Sequence, residues 1–338
     1  MKVLLVGAGA VGGTAAVLFK EGGFDLDILE INEERAKDIR DNGIFLTGAK
    51  GSHNAKFTAY SSPDSLTEKY DIIIIAVKST ALVPAANSVK NKLKDNGLAV
   101  AMENGLCAET LAEIFGSDRT VGVMIGFGAT LLSPEHVEMT SKGEFYIGLI
   151  NGSLPPKIYY LRDMYNAVLP TEITCDIKAR LWSKLIINTC INSVAAITGE
   201  TLGIILDSEK GRKLFLAIAK EGFATSKALG LKVPPYGKIL DYRLLALDSN
   251  TVFDKIIQAV IKAFGKTSYA KVKPSTLQSL ERGEKTEVDI FNGYIDKKGR
   301  ESGIPTPVNG LMTKMIKEIE DGKRKISPSN IDEFSGMI

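Results

Sequence analysis

Cysteine, histidine and net charge are all scarce in this chain of 338 residues. Its three cysteines are Cys107, Cys175 and Cys190. Their odd number and wide spacing exclude a disulfide framework and a CxxC metal site. The two histidines, His53 and His136, lie in no metal-ligand pattern, so no metal is expected. A formal net charge of +2 is too small a bias to point to nucleic acid or an anionic membrane surface as partner. No apolar run approaches the roughly 20 residues that span a bilayer, so no membrane association is expected. The opening MKVLLVGAG is too short for the apolar core of a signal peptide and runs straight into glycines. A reducing, cytoplasmic setting is the default that remains. The chain does have an ordinary globular balance, 44% hydrophobic and 24% charged, and length enough for two domains with real cores.

The first informative stretch follows at once. Lys2 to Val6 reads as a short buried strand of the parallel type. It leads into Gly7-Ala8-Gly9-Ala10-Val11-Gly12-Gly13, and a helical run occupies Thr14 to Lys20. Strand, GxGxxG and helix in this order form a dinucleotide-binding pattern. Gly7 makes the tight turn, Gly9 lets a pyrophosphate approach the backbone, and Gly12 lets helix and strand pack closely. The free N–H groups at the helix start favour the phosphates. A second strand, Asp25 to Glu30, ends on an acidic residue. Glu30 stands at about the distance at which a carboxylate takes the ribose 2′-hydroxyl of NAD, so NADH is favoured slightly over NADPH. The bland alternative is a solvated acid at a strand end. Arg35 and Lys37 are close by.

Glu33 to Asn42 reads as a charged helix stopped by Gly43, and residues 44 to 61 as short strands and turns. Asp71 to Val77 is the next buried strand, with Lys78 after it. Leu98 to Met102 is another, leading into Glu103-Asn104-Gly105. Ligands of open parallel sheets bind outside the carboxyl ends of the strands, which makes Lys78 and Asn104 candidates. A surface lysine and a tight Asn-Gly turn are their ordinary readings. Residues 121 to 149 read as three strands: VGVMIGFGAT, HVEMT and EFYIGLI. A helix over about 158 to 168 and a β stretch over 171 to 174 follow.

The most unusual stretch is Ala179 to Gly199, ARLWSKLIINTCINSVAAITG. It is apolar around most of a helical circumference, yet Lys184, Asn188 and Asn192 recur at four-residue spacing. Asparagine is a poor helix-interior residue, and lysine is rarely buried without a partner. The row therefore faces something polar. A hydrogen-bonded seam between helices, with Lys184 reaching out to water, is one reading; a row facing a ligand is the other. Everything beyond this helix reads as helical. Alternating βαβ pattern followed by helices gives an α/β chain: a Rossmann-type, mostly parallel N-terminal sheet in 1–174 and an all-helical domain in 175–338. Arg212 to Leu229 is a long amphipathic helix. Residues 232 to 272 are lysine-rich and partly helical. Pro274 suits a first helical turn with Ser275 at or beside its cap. Glu287 opens a further helical run with Val288, Phe291 and Ile295 on its apolar face. A last amphipathic helix covers about 309 to 321, and the tail ISPSNIDEFSGMI has no period and is expected to be mobile.

Five separated motifs in order resemble the ketopantoate reductases (2-dehydropantoate 2-reductases): GAGAVG, IIIIAVKS, ENGL, LWSKLIINTCINSVAAITG and PSTLQSLERGEKTEVDIFNGYI. The strand region from Val121 to Gly148 is similar as well. The resemblance implies reduction of 2-dehydropantoate to (R)-pantoate by NAD(P)H, in pantothenate and coenzyme A synthesis, in a cleft between the two domains. It implies Lys184 as catalytic general acid, with Asn188 and Asn192 as polar partners that bind substrate. It also implies Ser275 on the substrate carboxylate, Glu287 on its hydroxyl, and Lys78 and Asn104 near the nicotinamide. Glu30 to Asn32 stand where many members carry a basic residue for the 2′-phosphate, so the family's usual NADPH is not evident here. Segment 232–272 and the tail are longer than in the family. A small-molecule substrate is the expected partner, and a homodimer is compatible with the reading. Other readings are the same scaffold acting on another 2-keto or 2-hydroxy acid, and a dinucleotide-binding sensor without catalysis.

Overall fold

The computed structural model describes residues 1–236, 240–245, 251–266 and 273–338. It divides into two compact units, Met1–Leu181 and Trp182–Ile338.

The first unit alternates strands and helices: β1 (Val3–Val6), α1 (Ala10–Glu21), β2 (Asp27–Leu29), α2 (Glu33–Asp41), β3 (Ile44–Gly48), β4 (His53–Ala55), β5 (Ala59–Tyr60) and β6 (Tyr70–Ile75). Then come α3 (Leu82–Val89), β7 (Leu93–Ala101), α4 (Cys107–Phe115), β8 (Thr120–Met124), β9 (Gly128–Ser133), β10 (His136–Ser141), β11 (Phe145–Leu149), α5 (Lys157–Asn166) and β12 (Thr171–Ile173). Eight strands form one sheet in the order β12-β11-β8-β7-β6-β1-β2-β5. All neighbours are parallel except β11 and β8. Strands β1 and β8 are buried at every position, as apolar runs covered on both faces require.

One expectation needs correction. The run VGVMIGFGAT is not one strand. It breaks at Gly126, where a side chain would stand 1.8 Å from the Glu144 carbonyl oxygen. The part before the break is β8 of the large sheet. The part after it, β9, joins a separate four-stranded sheet, β4-β3-β10-β9. Residues 44–61 supply strands to both sheets.

The second unit is helical. α6 (Ile177–Thr198) begins in the first unit and crosses the boundary. It is followed by α7 (Leu202–Asp207), α8 (Glu209–Ala228), α9 (Tyr242–Leu245), α10 (Thr251–Phe264), α11 (Ser275–Glu281), α12 (Asn292–Ser302) and α13 (Pro307–Glu320). Residues 237–239, 246–250 and 267–272 of the lysine-rich segment lie outside the described residues. Gly222 of α8 sets a close approach. A side chain there would meet Ile186 of α6 and Ile295 of α12 at 3.1 Å each. Pro307 opens α13 at a position where its missing N–H costs nothing.

The helical run expected from Glu287 starts later. Val288–Ile290 is a single tight turn, and α12 begins only at Asn292. The tail is not loose. Phe334 is fully buried and Ile331 nearly so. The Ile197 carbonyl near the end of α6 accepts from the Ser327 N–H at 3.0 Å and from Asn330 Nδ2 at 2.8 Å. These donors satisfy a backbone group that a helix end leaves without an intrahelical partner. Periodicity could not reveal this docking, because the tail binds through a polar cap and two scattered apolar residues. Among the described residues, no helix is long and apolar enough to cross a membrane, and no cluster of His, Cys, Asp and Glu could hold a metal ion.

Candidate active site

In the first unit, four adjacent parallel strands end in register. Ala101 of β7 pairs with Ile75 of β6, Ile75 with Val6 of β1, and Val6 with Leu29 of β2. The residues that follow these ends therefore share one edge. They are Asn104 after β7, Lys78 after β6, the glycine loop after β1 and Glu30 after β2. All the N-terminal candidates named from sequence are brought together in this way.

The loop Gly7-Ala8-Gly9-Ala10-Val11-Gly12 is built as a cradle. Gly7 has φ +88°, and a side chain on it would stand 2.8 Å from Val77. A Cβ on Gly12 would lie 2.1 Å from the Gly7 carbonyl oxygen, so only glycine fits. Gly9 caps α1 without a side-chain hydrogen bond, and a Cβ there would meet nothing within 4 Å. The loop thus faces open space where a phosphate would approach the helix start, and the residues fit a dinucleotide. Ala8 is buried, while Ala10 and Val11 are half-buried at the opening of α1.

Glu30 is tied to this loop. Its carboxylate accepts from the Ala8 N–H at 3.3 Å and from the Asn32 N–H at 3.2 Å. Arg35 lies 3.7 Å from the same carboxylate and also donates to the Ala8 carbonyl. Burial lowers the Arg35 pKa, against the pull of Glu30 and Glu135. This clamp is not evident in the sequence, where Arg35 is one charge among many in a surface helix. Lys78 is exposed and caps the short turn Ser79–Ala81. Asn104 is half-buried, and its carbonyl accepts from Cys107 Sγ at 3.3 Å.

The second unit gathers the other candidates. Within α6, Lys184 and Asn188 are only partly buried, and Asn192 keeps 9% exposure, among neighbours that are nearly all fully buried. Residues four apart on a helix stand about 6 Å from one another, so the three form a continuous polar row. Burial pushes the Lys184 ammonium down to a pKa of about 8, and the Glu287 carboxylate acts in the opposite direction. Ser275, exposed as the first residue of α11, donates to Asn192 Oδ1 at 3.4 Å. Pro274, not Ser275, occupies the cap position. Lys184 with Glu287, and Asn192 with Ser275, are therefore interacting pairs in the folded unit.

A buried network supports this row, and the sequence gives it no signature. Ser193 accepts from Asn292 Nδ2 at 3.4 Å, Asn292 donates to Asn309 Oδ1 at 2.9 Å, and Asn309 Nδ2 donates to Glu221 at 2.8 Å. Glu221 also takes the Val308 and Asn309 N–H groups at the start of α13. Burial raises its pKa against those hydrogen bonds.

A mostly parallel sheet carrying a glycine loop at its carboxyl edge, joined to a helical unit with a partly buried lysine–asparagine row, defines a two-domain dinucleotide-dependent oxidoreductase. Comparison with known proteins gives the particular family. Residues 3–152 match the family model described as ketopantoate reductase PanE/ApbA, and residues 176–320 match its C-terminal counterpart. The chain belongs to the ketopantoate reductase family. It is 25% identical over 322 residues to the 2-dehydropantoate 2-reductase of Archaeoglobus fulgidus, covering 95% of this chain and 98% of that one. It is 27% identical over 323 residues to the enzyme of the same name from Pyrococcus horikoshii, with the same coverage. Among solved structures, a PanE/ApbA family ketopantoate reductase from Ralstonia eutropha JMP134 is similar, with TM-score 0.80, 25% identity, and coverage of 96% and 100%. The structure of D-mandelate dehydrogenase with NADH and anilino(oxo)acetate shares the fold, with TM-score 0.80, 18% identity, and coverage of 96% and 99%.

Proposed function

We propose that this protein reduces 2-dehydropantoate to (R)-pantoate with NAD(P)H, with Lys184 as the general acid. The single observation that carries the reading is the Lys184 ammonium, held in an apolar helix with a pKa near 8 and facing the Glu287 carboxylate. When bound, the nicotinamide supplies the hydride. Reduction of a keto acid builds negative charge on the carbonyl oxygen, and Lys184 meets that charge with a positive donor. A lysine near 8 is still mostly protonated at neutral pH, yet yields its proton far more readily than an exposed one. Asn188 and Asn192 bind substrate oxygens as donors and acceptors. Ser275 takes the substrate carboxylate, and Glu287 accepts from the substrate hydroxyl. Lys78 and Asn104 serve the cofactor at the strand ends.

Glu30 favours NADH. Its carboxylate is fixed at the glycine loop, where a ribose hydroxyl can donate to it and a 2′-phosphate would be repelled. A homodimer in the cytoplasm completes the reading, and light scattering checks the assembly. The deciding experiment is a spectrophotometric assay of purified protein with 2-dehydropantoate, NADH and NADPH, alongside other 2-keto acids. Preferential turnover of 2-dehydropantoate supports the reading. Turnover of another keto acid in its place assigns a different substrate, and cofactor binding with no turnover of any assigns a sensor.

A further inference from the structure

We propose that Glu320, the last residue of α13, is a positioning residue that holds Glu287 in place for its work on Lys184 and the substrate. The inference rests on the reading given above for Glu287.

The geometry is specific. Glu320 Oε1 accepts both the Thr286 N–H, at 2.8 Å, and the Thr286 hydroxyl, at 2.5 Å. Its second oxygen lies 3.2 Å from Lys285 Nζ, and only 6% of the side chain is exposed. Asp321 shares that lysine at 3.2 Å. A carboxylate at a helix C-terminus sits at the wrong end of the dipole, and burial adds to the cost. This one is retained there with both Thr286 donors converging on a single oxygen.

Thr286 precedes Glu287 directly. On the other side Val288 is buried, at 2% exposure, and its N–H donates back to Thr286 Oγ1 at 3.2 Å. Glu287 is thus pinned between a hydrogen-bonded residue and an apolar one. Before Thr286 the last backbone tie is the Glu284 N–H on the Ser279 carbonyl at 2.9 Å, and Lys285 between them is exposed. Losing the Glu320 acceptor frees the N-terminal pin and leaves the C-terminal hold, which is buried Val288 and the Ile290 N–H on the Glu287 carbonyl at 3.0 Å. A carboxylate released in this way no longer faces a fixed point.

The test is a double-mutant cycle on kcat/KM for 2-dehydropantoate, with thermal melting as the check on folding. Glu320→Ala is expected to lower kcat/KM about tenfold in the wild-type chain and less than about twofold in a Glu287→Gln chain, because neighbours acting through one group are non-additive. Glu320→Gln keeps an oxygen for Thr286 and loses the ion pair with the exposed Lys285, so it is expected to stay within about twofold of wild type. If Glu320→Ala fails to fold, Thr286→Val removes the hydroxyl arm and carries the same cycle. Equal losses in the two backgrounds, or no loss, overturn the inference alone. A wild-type chain inactive towards 2-dehydropantoate with both cofactors removes the functional reading and this inference together.

Discussion

The two units build their candidate surfaces from opposite materials. The first uses backbone: an extended loop, a helix start and glycines whose value lies in having no side chain. Apart from Glu30, Lys78 and Asn104, what it presents is N–H groups and room. The second uses side chains almost alone, with Lys184, Asn188, Asn192 and Ser275 on helices and Glu287 at the head of a short turn. A backbone surface tolerates many changes of side-chain chemistry and almost no added volume. A side-chain surface has the reverse tolerance, since in the proposed role its atoms act through charge and proton transfer.

Substitutions can break or sharpen this contrast. The largest effect is expected from Lys184→Ala, with turnover falling on the order of a hundredfold or more while NADH affinity, measured by fluorescence titration, stays close to wild type. Unchanged turnover would remove Lys184 from the chemistry. The glycine loop comes next. Gly12→Ala puts a Cβ 2.1 Å from the Gly7 oxygen and is expected to cost about 1–3 kcal/mol of stability as well as cofactor binding. Gly9→Ala adds a Cβ in open space, so the same melting experiment should show no loss while NADH affinity drops about tenfold, that is, by about 1.4 kcal/mol. Equal melting losses for the two would contradict the backbone account. Glu30→Gln should then shift the NADH to NADPH ratio of kcat/KM towards NADPH by about tenfold, through lost repulsion of the 2′-phosphate.

The smallest expected effect is a displacement along the pH axis. As the proposed general acid, Lys184 acts in its protonated form, so kcat/KM should fall as pH rises through about 8. Glu287 raises the lysine pKa, and Glu287→Gln should move this alkaline limb to lower pH. A limb that stays in place, or moves upward, would show that the two groups do not act on each other.

Much of the first unit was legible in the sequence because its signals are local. A buried strand, three glycines and a helix are contiguous, and their order alone implies the cradle. The row on α6 was legible for a similar reason, since helical spacing puts Lys184, Asn188 and Asn192 on one face. The missed features join residues far apart in the chain. The bend at Gly126 depends on the backbone of Glu144, eighteen residues later, which no apolar pattern around Gly126 encodes. The sequence shows Arg35 only as a basic residue close to Glu30, and the fold places it on Ala8 and Glu30. Glu320 and Thr286 meet only when α13 is packed. Polar contacts of this kind leave no periodic trace, because one side chain suffices for each.

The docking of Ser327 and Asn330 on the Ile197 carbonyl has a practical consequence. A preparation clipped ahead of Ser327 by a carboxypeptidase would lose the plug on the far end of the lysine-bearing rod, while the glycine cradle, built from the first hundred or so residues, would be untouched. Retention on an immobilised-nucleotide column would therefore pass such material as sound, and intact mass is the better certificate of a competent preparation.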